Sequence, residues 1–225
     1  VFVYAFYHYT IDSPHYKVNQ ILVYGSEKVS TDEVCVATGV TTEDNLLMVS
    51  TSAIAAKVAE LPYVETVAVS RELPSTLVIT LQERAAVATV MAGRRTYLVD
   101  GAAYVLRELP PGAPVTGPLI TSLPNLGIPT VGERLNSPAL HEALALWRAY
   151  SEVPVASEVT LSEISAEGPM KLTMFWDEVP YEVRWGRSDY RTQAMRLSAL
   201  WRKKAGQLPC LEYLDLRFDQ DLVCR

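Results

Sequence analysis

Residues 61–84 read L-P-Y-V-E-T-V-A-V-S-R-E-L-P-S-T-L-V-I-T-L-Q-E-R. Val64, Val67 and Val69 recur among polar or small residues, and Leu77, Ile79 and Leu81 stand two apart, the spacing of half-buried strands. With Arg71-Glu72-Leu73-Pro74-Ser75 as the connection, the stretch is a hairpin. Just upstream, Pro62 ends a helix over 50–61 that carries Ile54, Val58 and Leu61 at i, i+4 and i+7. Before that, Ser30-Thr31-Asp32-Glu33 sets a capping hydroxyl three residues ahead of a glutamate, which starts a short helix that Gly39 stops. Residues 16–24, rich in strand formers and closed by Gly25, supply a first strand. The order is strand, helix, helix, strand, strand.

From Ala88 onward the texture changes, which places a boundary near residue 87. Strands are expected at 96–99, 103–107 and 118–121, around a Pro/Gly-dense loop over 110–118. Ser137 caps a helix to Tyr150 that has Pro138 at its first position. Strands at 157–166, 170–176 and 181–185 precede a helix over 188–205, which ends in Arg202-Lys203-Lys204 where its dipole favours cations. A final strand is expected at 211–218. The fold class is α+β: an N-terminal segment 1–15, a βααββ unit 16–87, and a mixed β-rich domain 88–225 with an antiparallel sheet and two main helices.

The composition of the 225 residues, 49% hydrophobic and 20% charged, is that of an ordinary globular chain. A net charge of -6 speaks against a sequence-independent grip on nucleic acid. No apolar run reaches the roughly 20 residues needed to cross a bilayer as a helix. Val1 to Tyr9 is apolar or aromatic except for His8, and fits the outer end of a membrane helix, a short core strand or a docked tail. Three cysteines, Cys35, Cys210 and Cys224, exclude a disulfide framework but allow one bond.

No catalytic or metal-binding pattern stands out in the sequence. His8, His15 and His141 sit in no metal-ligand pattern, and there is no nucleophile elbow, phosphate loop or dinucleotide fingerprint. Cys35 reads as a small core side chain. Asp177, Glu178, Asp219 and Asp221 read as solvated turn charges. No cofactor or metal is implied, and the absence of a motif does not exclude catalysis but leaves no residue to assign to it.

The segments V-N-Q-I-L-V-Y-G (18–25), N-L-L (45–47), the 61–84 hairpin, L-V-D-G (98–101) and Y-L-D-L-R-F (213–218) together resemble the bacterial cell-division family FtsQ/DivIB, a POTRA domain followed by a second β domain. The matches run over residues 17–218 in the family's order. Where the family has E-R-x-P this chain has Glu83-Arg84-Ala85-Ala86, and the D-x-x-G turn is compressed to Asp100-Gly101. The resemblance implies a non-enzymatic, single-pass inner-membrane protein with both domains outside the cytoplasm at the division septum, and makes residues 1–15 its juxtamembrane segment. It implies the coiled-coil division proteins FtsB and FtsL (DivIC-type) as partners, and a scaffold role that links early and late division proteins; other division proteins would meet the POTRA unit. Two other readings are a POTRA component of outer-membrane assembly or secretion, and an extracytoplasmic hydrolase without a motif.

In the family the last strand is an edge to which the partner adds a strand. Here alternation puts Leu214, Leu216 and Phe218 on one face and Tyr213, Asp215 and Arg217 on the other. Arg217 would hold a partner carboxylate in a two-pronged bond, or pair internally with Asp215 or Asp219. The family pattern places Phe218 at the partner surface whereas strict alternation buries it, unless a bulge near Asp219 re-aims it. Leu222, Val223 and Cys224 would prolong the edge. The expected partner-binding residues are therefore Tyr213, Asp215, Arg217, Phe218, Leu222 and Val223.

Overall fold

In the computed structural model, residues 13–186, 189–218 and 223–225 are described. The aromatic stretch Val1 to Tyr9 lies outside them, as do Ser188, Asp219 and Leu222. The chain divides into two compact units, up to Ala85 and from Ala86 onward.

The first unit is built on β3 (Thr76–Glu83), which lies between β1 (Gln20–Tyr24) and β2 (Val64–Glu72), parallel to the first and antiparallel to the second. Leu77, Ile79 and Leu81 point inward and are buried, as the two-residue spacing requires. The three-residue step from Val64 to Val67 has a physical cause: a bulge lies between Val64 and Thr66, so one extra residue is absorbed before alternation resumes. The hairpin is tighter than expected. Arg71 and Glu72 pair with Leu77 and Thr76, leaving Leu73-Pro74-Ser75 as the turn, and Arg71 Nη2 donates to the Val49 carbonyl at 2.6 Å.

Two helices, α1 (Thr31–Thr38) and α2 (Thr51–Val58), complete the core of this unit. The Ser30 hydroxyl accepts the Glu33 amide at 3.1 Å, and Gly39 takes the left-handed conformation, φ +67°, that ends α1. α2 stops at Val58 rather than Leu61. The Glu60 and Leu61 amides turn back to carbonyls three residues earlier, because a residue ahead of Pro62 avoids the helical region. At the far end of β3, Glu83 accepts the backbone amides of Glu27, Lys28 and Val29 at 2.8–2.9 Å. Burial alone would raise its pKa. The three amides and the Lys28 charge outweigh that and hold the carboxyl below the usual glutamate range.

The second unit is a nine-stranded sheet in the order β12-β11-β10-β9-β8-β7-β4-β5-β6. Its strands are β4 (Ala86–Ala92), β5 (Arg95–Asp100), β6 (Val105–Leu109), β7 (Leu119–Thr121), β8 (Leu161–Gly168), β9 (Lys171–Trp176), β10 (Glu182–Trp185), β11 (Tyr213–Asp215) and β12 (Val223–Cys224). β4 has no counterpart in the sequence reading. Its inward positions include Ala88, Val90 and Ala92, and alanine is a poor strand former, so burial against the helices rather than local preference makes it a strand. The expected strand at 157–166 begins with a 3-10 turn, Pro154–Ser157, and pairs only from Leu161.

The sheet is mixed, not antiparallel: β4 with β7, β7 with β8, and β10 with β11 run parallel. Parallel neighbours need a long crossover, and each main helix provides one. α3 (Pro138–Ser151), capped by Ser137, connects β7 to β8, and α4 (Tyr190–Lys203), capped by Asp189, connects β10 to β11. One cross-strand row of side chains, Tyr97, Val90, Ile120, Ile164, Met174, Val183 and Leu214, is buried at 0–1% exposure across seven strands. It packs in the same core as Leu140, Leu144 and Leu197 of the helices.

Replacing Glu83 by Gln is expected to destabilise the first unit by about 1–2 kcal/mol, since charge-assisted bonds contribute more than neutral ones but this group is partly exposed to solvent. Because its pKa is lowered on folding, the contribution is present above the unfolded glutamate value and is lost as pH falls through the lowered one. Denaturant melts of the wild type and E83Q across acidic pH should therefore converge at the acid end; a constant gap would contradict this.

Candidate functional site at the C-terminal sheet edge

A nine-stranded open sheet has two edges, and each exposes backbone groups to a neighbouring chain. At the β6 edge the chain's own residues intrude. Gly132 donates to the Val105 carbonyl, Val105 donates to Glu133, and Leu135 donates to Ala103, at 2.8–2.9 Å. At the other edge the expected final strand, 211–218, shrinks to the three residues of β11, and its outer side is already occupied. β12 pairs with it antiparallel, Leu214 opposite Cys224 and Asp215 opposite Val223. The open edge expected on β11 thus belongs to β12. Among the described residues, no strand pairs with the far side of β12.

The ladder identifies which groups face outward. Arg225 and Tyr213 exchange both backbone bonds, at 3.1 and 3.3 Å, so the next residue, Cys224, is in a non-hydrogen-bonded pair and its N–H and C=O point away from β11. The Cys224 side chain lies on the inner face, where it closes a disulfide with Cys210 across Cα atoms 5.0 Å apart. The Arg225 carbonyl also accepts the amides of Leu211 and Glu212 at 2.7 Å.

β11 ends where it does because of Asp215. Its Oδ1 accepts the Arg217 amide at 3.0 Å, which closes a turn, and both oxygens accept the Arg217 guanidinium, Nε at 2.9 and 3.0 Å and Nη2 at 2.5 Å. Of the alternatives for Arg217, the structure contains the internal pair with Asp215. The arginine side chain remains 48% exposed while the aspartate side chain is 3% exposed. Burial pushes Asp215 up, but the Arg217 bonds and the nearby charges of Arg217 and Arg184 hold it below the ordinary aspartate range.

The same turn breaks the alternation that would have buried Phe218. Its carbonyl accepts Arg196 Nη1 and Nη2 of α4, at 3.2 and 3.3 Å, and its ring is 50% exposed. Leu214 and Leu216 are buried as expected. Tyr213 lies half-buried under the Arg184 guanidinium, 4.0 Å from its ring centroid, and Val223 is 38% exposed. Val223 also ends a second cross-strand row, Thr121, Ser165, Thr173, Arg184 and Asp215, on the face away from the helices.

Beside this edge lies a groove of about 360 Å³ lined by Lys171, Thr173, Arg184, Trp185 and Arg217 among others. Each of its cations has a carboxylate of its own: Lys171 with Glu167, Arg184 with Glu182, Arg217 with Asp215. The charges cancel locally, so the groove is no anion trap. Cys35, expected in the core, is only half-buried on α1, and burial with the Asp32 charge pushes its thiol up, away from the reactive thiolate. Among the described residues, no cluster of three or more His, Cys, Asp or Glu side chains is placed to hold a metal ion.

Two family models match the chain: "POTRA domain, FtsQ-type" over residues 16–84, and "Cell division protein FtsQ/DivIB, C-terminal" over 88–217. The chain is similar to the cell division protein FtsQ of a Geobacter species, 28% identical over 88% of this chain and 72% of the relative. It is 25% identical to that of Geotalea daltonii over 99% of this chain and 80% of the relative. It is 32% identical to that of Mycolicibacterium smegmatis over 84% of this chain and 53% of the relative.

Because the Asp215 pKa is lowered on folding, its bond to Arg217 should persist below the usual aspartate value of about 3.9 and fail only as pH drops through the lowered one. An NMR titration that follows the Asp215 carboxyl and the Arg217 Nε–H together should show one shared inflection on the acid side of that value. An inflection at or above it would contradict the assignment.

Proposed function

The chain belongs to the FtsQ/DivIB family of cell division proteins, and on that premise we propose that it is a non-enzymatic scaffold of the division machinery. In this reading an extended segment of an FtsB- or FtsL-type partner adds as a further strand beside β12, and the POTRA unit receives other division proteins. The observation that carries it is the contrast between the two sheet edges: residues 132–135 bond to the start of β6, at Ala103 and Val105, whereas among the described residues no strand pairs with the far side of β12. Main-chain bonds to Cys224 would supply affinity, and exposed Phe218 and Val223, with the half-exposed Arg217 over Asp215, would supply selectivity. Tyr213 enters this surface through its contact with Arg184. Leu222, expected here as well, lies outside the described residues.

The Cys210–Cys224 bond favours an oxidising compartment, which supports placing both units on the extracytoplasmic side of the inner membrane, at the septum. No helix among the described residues is long and apolar enough to cross a membrane.

Titration of the 225-residue chain with the soluble extracytoplasmic segment of its bacterium's FtsB-type protein tests the reading. Phe218→Ala and Val223→Lys change exposed side chains, so thermal stability should hold within about 0.5 kcal/mol. Binding should weaken about tenfold or more, as expected when an apolar anchor worth ~1.5 kcal/mol is lost or an edge is blunted with charge. Wild-type affinity in both variants would contradict the site.

A further inference from the structure

Strand β12 has little of its own to hold it. Val223, Cys224 and Arg225 are all exposed, and the Arg225–Glu212 ion pair, at 3.4 Å, joins two side chains that are 71% and 63% exposed. Such a pair contributes little in water. What remains is a short ladder, the Leu211 and Glu212 amides on the Arg225 carbonyl, and one covalent bond, Cys224 to Cys210, which is 5% exposed and anchored in the core of the unit. The residue whose side chain makes that bond is also the residue whose N–H and C=O face the open edge. The buried inner row of the sheet therefore ends in a disulfide where the other strands end in packed side chains.

We propose that the Cys210–Cys224 disulfide is a redox switch on partner docking: oxidised, it presents β12 as a template, and reduced, it releases β12 and withdraws the template. This rests on the strand-addition reading above. The chemistry is a thiol–disulfide exchange with a dithiol reductant. The reductant's thiolate attacks the sulfur of Cys224, the exposed residue of the pair, the S–S bond breaks, and Cys210 leaves as a thiolate that takes up a proton. The reductant's second thiolate then displaces Cys224 from the mixed disulfide. Two electrons pass to this chain, which ends as two thiols, and the reductant ends as a disulfide.

Amide hydrogen exchange and binding, each measured on the oxidised chain, on the chain treated with dithiothreitol, and on a C210A/C224A double variant, test the switch. In the reduced and the substituted chains the Leu211, Glu212 and Tyr213 amides, which donate to the Arg225 carbonyl, should lose protection at least tenfold. The Leu216 amide, which donates to Arg184 across β10, should keep its protection. Affinity for the soluble FtsB-type segment should fall about tenfold or more in both, and dithiothreitol should add nothing to the double variant. Unchanged protection at 211–213 overturns the switch and leaves strand addition standing. Lost protection with undiminished binding overturns strand addition at β12 itself, and the switch with it. Loss of protection at Leu216 as well would show a structural staple and overturn the switch.

Discussion

A buried or half-buried backbone amide must find a partner, and in a sheet the last strand never finds all of its own. That constraint organises the second unit. Seven strands place an unbroken row of apolar side chains under the two helices, from Tyr97 to Leu214, and the row can continue only if another strand is laid beside β11. β12 is that strand, and it is two residues long. It satisfies β11 and passes the unpaired edge one place outward, to Cys224. At the opposite end, residues 132–135 bond to the start of β6, so the asymmetry between the two edges arises from the chain itself.

The face of the sheet away from the helices supports the same edge. Asp215, next to last in the outer cross-strand row that Val223 ends, is held by Arg217 and lies near Arg184, which covers Tyr213. These groups end β11 as a turn, direct the chain toward Arg196 of α4, and leave the Phe218 ring exposed beside the end of the strand. An aromatic ring half in solvent is a normal surface feature when alone. Exposed together with Val223, on a strand paired on one side, it could serve strand addition, which needs pockets and anchors to select a sequence.

Much of the fold was legible because local signals and tertiary demand agree. The Ser30 and Ser137 caps, the Gly39 stop and the Leu77, Ile79 and Leu81 spacing all act as their chemistry dictates. β4 was illegible because alanines at its inward positions carry no strand preference, and only the helices above them make the strand worthwhile. The mixed direction of the sheet was hidden in connection lengths: the runs from β7 to β8 and from β10 to β11 are long enough for helical crossovers, which was a usable signal. At the edge, alternation located Leu214 and Leu216 correctly but failed at Phe218, since an aspartate that captures an amide two residues ahead overrides the period. Cys210 and Cys224, on either side of β11, were the trace of β12, but three cysteines allow more than one pairing and the spacing alone does not choose between them.

The most direct measurement is the exchange rate of the Cys224 amide in the oxidised chain, with and without a saturating FtsB-type segment. If a partner strand adds at this edge, that amide, which faces away from β11, gains a carbonyl acceptor and its exchange slows at least about tenfold on binding. Exchange at an unchanged rate in the saturated complex would contradict strand addition to β12.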